Sequence, residues 1–323
     1  MRKVCLLLTV FLLLQSFESV SWGFFAHKLI NRHAVFSLPP EMIGFFKKHI
    51  DYVTENAVNP DRRRYAVEGE APRHYIDIDH YGDSAIYKMP RYWFDAVEKY
   101  TEDSLQAYGI VPWHVNFMKF QLTEAFKEKD VPRILRLAAD MGHYIADSNV
   151  PLHTTENYNG QLTGQHGIHG FWESRLPELF ANQYDFFIGQ AEYIEKPQLM
   201  AWQSVTKAHL ALDTVLTFEK RLTSKFPKDK KYSFEERGAS FVQVYSTDFS
   251  RQYHNKLDGM VERRMKASIK MVADFWFTCW VDAGQPDLSE IGVLTAEEEQ
   301  NLEQEQKSWI NRIFQGRDHE SGN

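Results

Sequence analysis

The chain has 323 residues, 43% hydrophobic and 25% charged, with a formal net charge of −7 at neutral pH. This is an ordinary globular composition, with ample material for the core of one large domain or two. The acidic balance excludes a broad, non-specific grip on duplex DNA, though not a compact site whose positive charge is a metal ion.

Arg2 and Lys3 precede a nearly unbroken apolar run over residues 4–14, and Ser19 and Ser21 stand at −3 and −1 before Trp22. This is the pattern of a secretory signal peptide, residues 1–21, too short and wrongly flanked for a membrane anchor. Cys5 leaves with it, so the mature chain keeps Cys279 alone and can form no internal disulfide. Removing Arg2, Lys3 and Glu18 from the 37 basic and 44 acidic residues takes the net charge to −8. The mature protein is expected to be periplasmic or secreted, with no membrane-spanning segment.

From Trp22 the chain reads as helices separated by Pro, Gly and Asn/Asp breaks. Residues 27–36 form a helix that stops at Pro39-Pro40, and residues 41–53 form the next. Residues 59–80 have no sustained helical period and read as a long ordered loop, which in a compact domain usually carries function. Residues 90–108, 113–127 and 131–148 are amphipathic helices, residues 195–226 one or two more, and residues 241–280 a long final pair. Alternating strand patterns are almost absent. The expectation is an all-α fold in one domain, residues 22–285, followed by a charged tail, 286–323, solvated and fraying toward its end.

The chemistry concentrates in HYIADSNVPLHTTENYNGQLTGQHGIHGFWE, residues 143–173. His143 and Asp147 are four apart, His153 follows six later, and His169 and Glu173 are again four apart. Residues at i and i+4 share a helix face, so two His/carboxylate pairs can aim their ligand atoms at one place. Imidazole with carboxylate is the ligand mix expected of zinc in a hydrolytic site. His166 lies seven residues from Glu173, two turns away, so His169 is the better partner. Upstream candidates are Trp22, His27, Asp61 and His74. Cleavage before Trp22 would free its α-amine, which can chelate a metal together with its own carbonyl. His80 competes with His74 in the same loop. His33, His49, His114, His209, His254 and His319 lack a carboxylate at ligand spacing and read as ordinary core or surface residues.

The mature start WGFFAHKLINRHA, Asp61 and then His74 in a loop, H-x3-D-x5-H with Pro-Leu-His, the closing H-x3-E and the late DFWFTCW helix together resemble the zinc-dependent phospholipase C and single-strand-specific nuclease superfamily. The resemblance covers most of residues 22–285. It implies a helical bundle holding up to three zinc ions: one on Asp61, His74, His143 and Asp147; one on His153, His169 and Glu173; and one on the amine and carbonyl of Trp22, His27 and a bridging oxygen of Asp147. It also implies phosphodiester hydrolysis, with Asp61 and Asp147 as the catalytic carboxylates. Glu173 as the closing ligand matches the phospholipases. Trp22-Gly23 with His27 so soon after, and Trp172 before the last ligand, are closer to the nucleases. The expected substrate is a phospholipid headgroup, the alternative single-stranded nucleic acid. Tyr75, Tyr81, Tyr158 and Phe171 would line the pocket or serve the core. A non-catalytic secreted protein with a structural zinc is the third reading; its single closed site would leave most of these ligands without a role.

Overall fold

Asp130 opens the helix around which the others pack. Its carboxylate accepts the Arg133 amide at 3.1 Å, and a proline in the first turn occupies a position whose N–H would lack a helical partner anyway. The structure, a computed structural model, describes residues 24–310 apart from 238, 239, 290, 291 and 293. The expected signal peptide, the expected ligand Trp22 and residues 311–323 lie outside the described residues. Within them the fold is all-α apart from one two-stranded sheet. No described helix is long and apolar enough to cross a membrane.

The Asp130-capped helix, Val131–Asp147, is buried on nearly every side from Ile134 onward. Phe24–Val35, Val111–Glu128 and Met260–Asp282 pack around it. The DFWFTCW segment serves this core: Trp276 is buried, stacks on Phe46 at 4.9 Å and donates its indole N–H to the Ala138 carbonyl. Cys279 is also buried, and burial pushes its thiol up to about 12, which leaves it unreactive.

One contact sets the approach of the first helix to the central one. A Cβ on Gly142 would lie 1.9 Å from Asn31 Oδ1. Asn31 in turn donates to the carbonyls of Val53 and Ala139, both at 3.1 Å. This close crossing brings His27, one turn before Asn31, against His143, the residue after Gly142. Gly142→Ala is therefore expected to displace Asn31 and strand two buried carbonyls, costing about 2–4 kcal/mol. The check is a thermal midpoint lowered by roughly 4–10 °C.

Five stretches differ from the sequence expectation. The single helix expected over 41–53 is two, Pro40–Lys48 and Ile50–Glu55, divided at His49. Residues 59–80 carry the short helix Asn59–Arg63 and the 3-10 turns Ala71–His74 and Ile78–Tyr81. The stretch read as one helix over 90–108 is two, Trp93–Tyr100 and Glu102–Tyr108, divided at Thr101 with φ 66°. Residues 241–245 are not the start of a helix. They form β2 (Ser240–Tyr245), antiparallel to β1 (Tyr232–Arg237), because Ser246 caps the helix that begins at Thr247 by accepting the Phe249 amide. The apolar residues before Ser246 thus belong to a hairpin with a period of two. Finally, the tail is not wholly solvated. Leu288 and Leu294 are buried, and Glu305 of helix Ala296–Ile310 pairs with Arg136 of the central helix at 3.3 Å.

Candidate metal centre

The end of the central helix presents His143 and Asp147 on one face, as regular α-helical spacing requires. Asp147 Oδ2 lies 3.2 Å from His143 Nε2 and 2.9 Å from His74 Nδ1, and those two ring nitrogens are 3.1 Å apart. Asp61 Oδ1 stands 3.6 Å from His143 Nε2 and 3.7 Å from His74 Nδ1. Ligands at the vertices of a zinc tetrahedron with bonds of roughly 2.0–2.1 Å are about 3.3 Å apart, so these separations match a first coordination shell. The loop residues Asp61 and His74 are thus brought to the central helix by the turns flanking them.

The second group is His153, His169 and Glu173. His153 Nε2 lies 2.8 Å from His169 Nε2 and 3.2 Å from Glu173 Oε2, and His169 Nε2 lies 2.7 Å from the same oxygen. His169 and Glu173 are not on a regular α-helix. The chain passes from a single turn, Ile168–Gly170, into a π-helical turn, Phe171–Arg175. Such turns are rare and recur at functional sites.

His27 joins the two groups. Its ring stacks on His143 with centroids 3.9 Å apart, and its Nε2 lies 3.4 Å from Asp147 Oδ1 and 3.8 Å from Glu173 Oε1. Asp147 and Glu173 each therefore face two groups with their two oxygens. The sequence reading expected a bridging role for Asp147 alone. His166 belongs to no ligand group, and His80 instead stacks on Tyr108 and sits 3.8 Å from Glu156.

The tautomers are pinned from outside. His143 Nδ1 points at the Ala57 carbonyl at 2.9 Å, and His153 Nδ1 at the His74 carbonyl at 2.7 Å. With those nitrogens donating, the Nε2 lone pair of each ring is turned inward, toward carboxylate oxygens and other imidazoles. Lone pairs facing lone pairs repel unless a cation stands between them. In the metal-free protein protons serve. Burial lowers the affinity of His143 for a proton, but Asp147 and Asp61 outweigh it and push the ring up to about 9. His153 is likewise opposed by burial and pushed up to about 9 by Asp147 and Glu173. Burial raises the Asp147 and Glu173 carboxyls, yet the surrounding imidazoles hold both well below the usual carboxylate range. Two carboxylates, Asp147 and Glu173, held ionised within a buried imidazole cluster are donors that could hold a divalent metal ion.

Behind His74 stands a buried charge network that the sequence reading missed. Glu70 is fully buried, 3.7 Å from His74 Nε2, and takes salt bridges from Arg63 at 3.0 Å and Arg73 at 2.8 Å. Arg63 also pairs with Asp140 at 3.0 Å and donates to the Tyr144 hydroxyl, which bonds Glu70 in turn. Burial pushes the Glu70 carboxyl up, but the His74 ring and the Arg63 guanidinium outweigh it and hold the acid ionised. The signal was present in the sequence, since Glu70 is four before His74, as Asp147 is four after His143.

The chain also has a cavity of about 1660 Å³, larger than the roughly 300–1,000 Å³ of an ordinary ligand pocket, and none of the candidate ligands lines it. Tyr75, next to His74, and Tyr158, whose ring meets His169 edge-on at 5.9 Å, line its wall with Trp93, Trp113 and Phe117. Phe171 instead packs in the core on Tyr245 and Tyr253, and Tyr81 packs against Tyr100. Comparison of the sequence with known protein families and with curated proteins returned no match.

A metal ion held by these groups is expected to stabilise the fold strongly. A ligand at a thousand times its dissociation constant stabilises by about 4 kcal/mol per site. Dialysis against a chelator should thus lower the thermal midpoint by roughly 8 °C or more, and added zinc should restore it. An unchanged midpoint in protein shown to have lost its metal would mean that protons alone hold the cluster.

Proposed function

We propose that this protein is an exported, zinc-dependent phosphodiester hydrolase of the phospholipase C type. The observation that carries the reading is the convergence of His27, Asp61, His74, His143, Asp147, His153, His169 and Glu173 into contiguous ligand groups sharing Asp147 and Glu173. A structural zinc site needs four closed ligands; a cluster of several groups sharing carboxylates fits catalysis better. The sequence resemblance to the phospholipase C and zinc nuclease superfamily supplies the substrate class, and Glu173 in the closing position favours the phospholipase branch.

Zinc in such a centre acidifies water toward neutrality and offsets charge on phosphoryl oxygens. The chain's own residues do the rest. Asp61, with 15% of its side chain exposed, would take the proton of the attacking water. The P–O bond to the leaving alcohol breaks as the bond to water oxygen forms, and the proton passes on to the alcohol. Asp147, almost completely enclosed, keeps the imidazoles of both flanking groups in register through its two oxygens. Cleavage of a leader before Trp22 would free an amine that, with its own carbonyl, can chelate a metal.

A second reading, hydrolysis of single-stranded nucleic acid on the same site, draws on the aromatic cavity wall, where Tyr75 and Tyr158 offer faces on which bases stack. The experiment that tests both is hydrolysis of phosphatidylcholine, single-stranded DNA and RNA side by side, with metal content measured on the same sample. Cleavage of lipid with bound zinc supports the phospholipase reading. Cleavage of nucleic acid alone overturns the choice of branch, and no cleavage with one zinc or none overturns catalysis.

A further inference from the structure

The β1–β2 hairpin is packed at its base and bare beyond it. In the register Tyr232 faces Tyr245, Phe234 faces Gln243 and Phe241 faces Glu236, so Tyr232, Phe234, Phe241 and Tyr245 share one face of the ribbon. At the base Tyr245 is buried, stacked on Phe171 at 3.8 Å. Two and four residues further out the same face reaches solvent, where Phe234 is 70% and Phe241 73% exposed. The two rings are diagonal neighbours across the strands, within reach of one another. A pair of adjacent, largely exposed phenylalanines is an unusual feature for a surface that has no use for it.

The segment leading into β1 has the opposite character to the rest of the chain. Residues 220–231, KRLTSKFPKDKK, carry Lys220, Arg221, Lys225, Lys228, Lys230 and Lys231 against the single acid Asp229, in a protein whose net charge is −7. The first five of these cations are exposed, and Lys231 is engaged with Glu219 at 2.9 Å. Ser246 ties this segment to the hairpin base by donating its hydroxyl to the Lys230 carbonyl at 2.7 Å. At about 3.3 Å per residue Phe234 is some 10 Å along the strand from Lys231, close to a Debye length.

We propose that this hairpin, with the basic segment at its base, is an interfacial anchor that docks the protein on an anionic lipid bilayer. Phe234 and Phe241 would enter the headgroup layer while the lysines meet lipid phosphates and lay their aliphatic stems along the surface. Charge complementarity selects this occupant. A cationic run on an acidic protein matches a negatively charged sheet of headgroups, and the rings stand on a projecting ribbon, where a flat surface can reach them. Of the two acids on the ribbon, Glu235 is taken up by Arg175. Glu236 is exposed on the phenylalanine face and limits insertion to the headgroup depth.

The anchor is coupled to the metal centre by short links. Arg175 grips Glu235 and donates to the Tyr245 carbonyl, two residues after Glu173, and the Tyr245 hydroxyl reaches the His166 carbonyl at 3.4 Å. These contacts tie the base of the anchor to the π-helical turn that carries Glu173. The docking itself does not rest on the proposed hydrolysis.

The test is sedimentation of the metal-loaded protein lacking residues 1–21, whose removal leaves every contact described here in place. The vesicles are equimolar phosphatidylcholine and phosphatidylglycerol, with pure phosphatidylcholine as reference, over a time in which no water-soluble phosphate is released. The wild type should sediment with the anionic vesicles, less so at high salt. Phe234→Ser with Phe241→Ser should weaken partitioning roughly ten-fold or more. Lys225→Gln, Lys228→Gln and Lys230→Gln together should weaken it roughly a hundred-fold on anionic vesicles and little on phosphatidylcholine. Failure of the wild type to sediment, or equal sedimentation of either variant, overturns the proposal. So does a wild-type dimer in solution that the phenylalanine variant turns into a monomer, since a second copy would then cover the face.

Discussion

Asp147→Asn should leave a folded protein that has lost both metal and turnover. Asp147 offers Oδ2 to His143 and His74 and Oδ1 to His27, so one substitution touches both ligand groups that it joins. Asparagine keeps the volume but presents one acceptor and one donor where the carboxylate presents two acceptors. Its N–H2 would point at ring nitrogens whose lone pairs face inward. Loss of a single charge-stabilising group in an active site costs roughly a hundred- to a thousand-fold in turnover. Loss of a carboxylate shared between groups should cost at least the upper figure. Metal analysis, circular dichroism and hydrolysis rate on one preparation check it. Full metal content with full activity in the variant would remove Asp147 from the centre.

The second large effect is expected behind the site. Glu70→Ala leaves Arg63 and Arg73 sharing a buried region with Asp140 as the remaining acid. Breaking a buried ion pair by deleting one partner costs about 3–5 kcal/mol, because the surviving charge is left uncompensated. A thermal midpoint lower by roughly 6–15 °C follows. The same substitution frees the rear of the His74 ring, and loss of such an outer support weakens metal binding by roughly ten- to a hundred-fold. Titration of zinc into the metal-free variant separates the two effects. A variant that melts early and yet binds zinc as tightly as wild type would make Glu70 a partner of the arginines alone.

Local spacing made part of this centre readable in the chain. His143 and Asp147 sit on an uninterrupted α-helix, where four residues are about one turn, so their shared face follows from the helix itself. His169 and Glu173 have the same spacing, but the turn between them is π-helical, and the pair meets because the tertiary setting widens that turn. The helix over 131–147 was legible from its apolar period. The hairpin was not, because the apolar residues of β2 run directly into a helix, and a period of two over five residues is weak beside a following period of 3.6. Thr101 breaks a helix through a backbone conformation that its side chain does not announce.

The sequence by itself determined the helical class, the central helix and which His and carboxylate residues were available at ligand spacing, because these depend on neighbours within one or two turns. The family resemblance implied the grouping of Asp61 and His74 with His143 and of His27 with Asp147; only the tertiary structure decided that His27 also faces Glu173 and that Glu70 stands buried behind His74. Those relations depend on the close crossing at Gly142 and Asn31, on turns that bring residues 61 and 74 to residue 147, and on pairing charges buried far apart in the chain. Interactions of that kind are fixed by packing and electrostatics across the whole core, to which no local pattern of residues gives access.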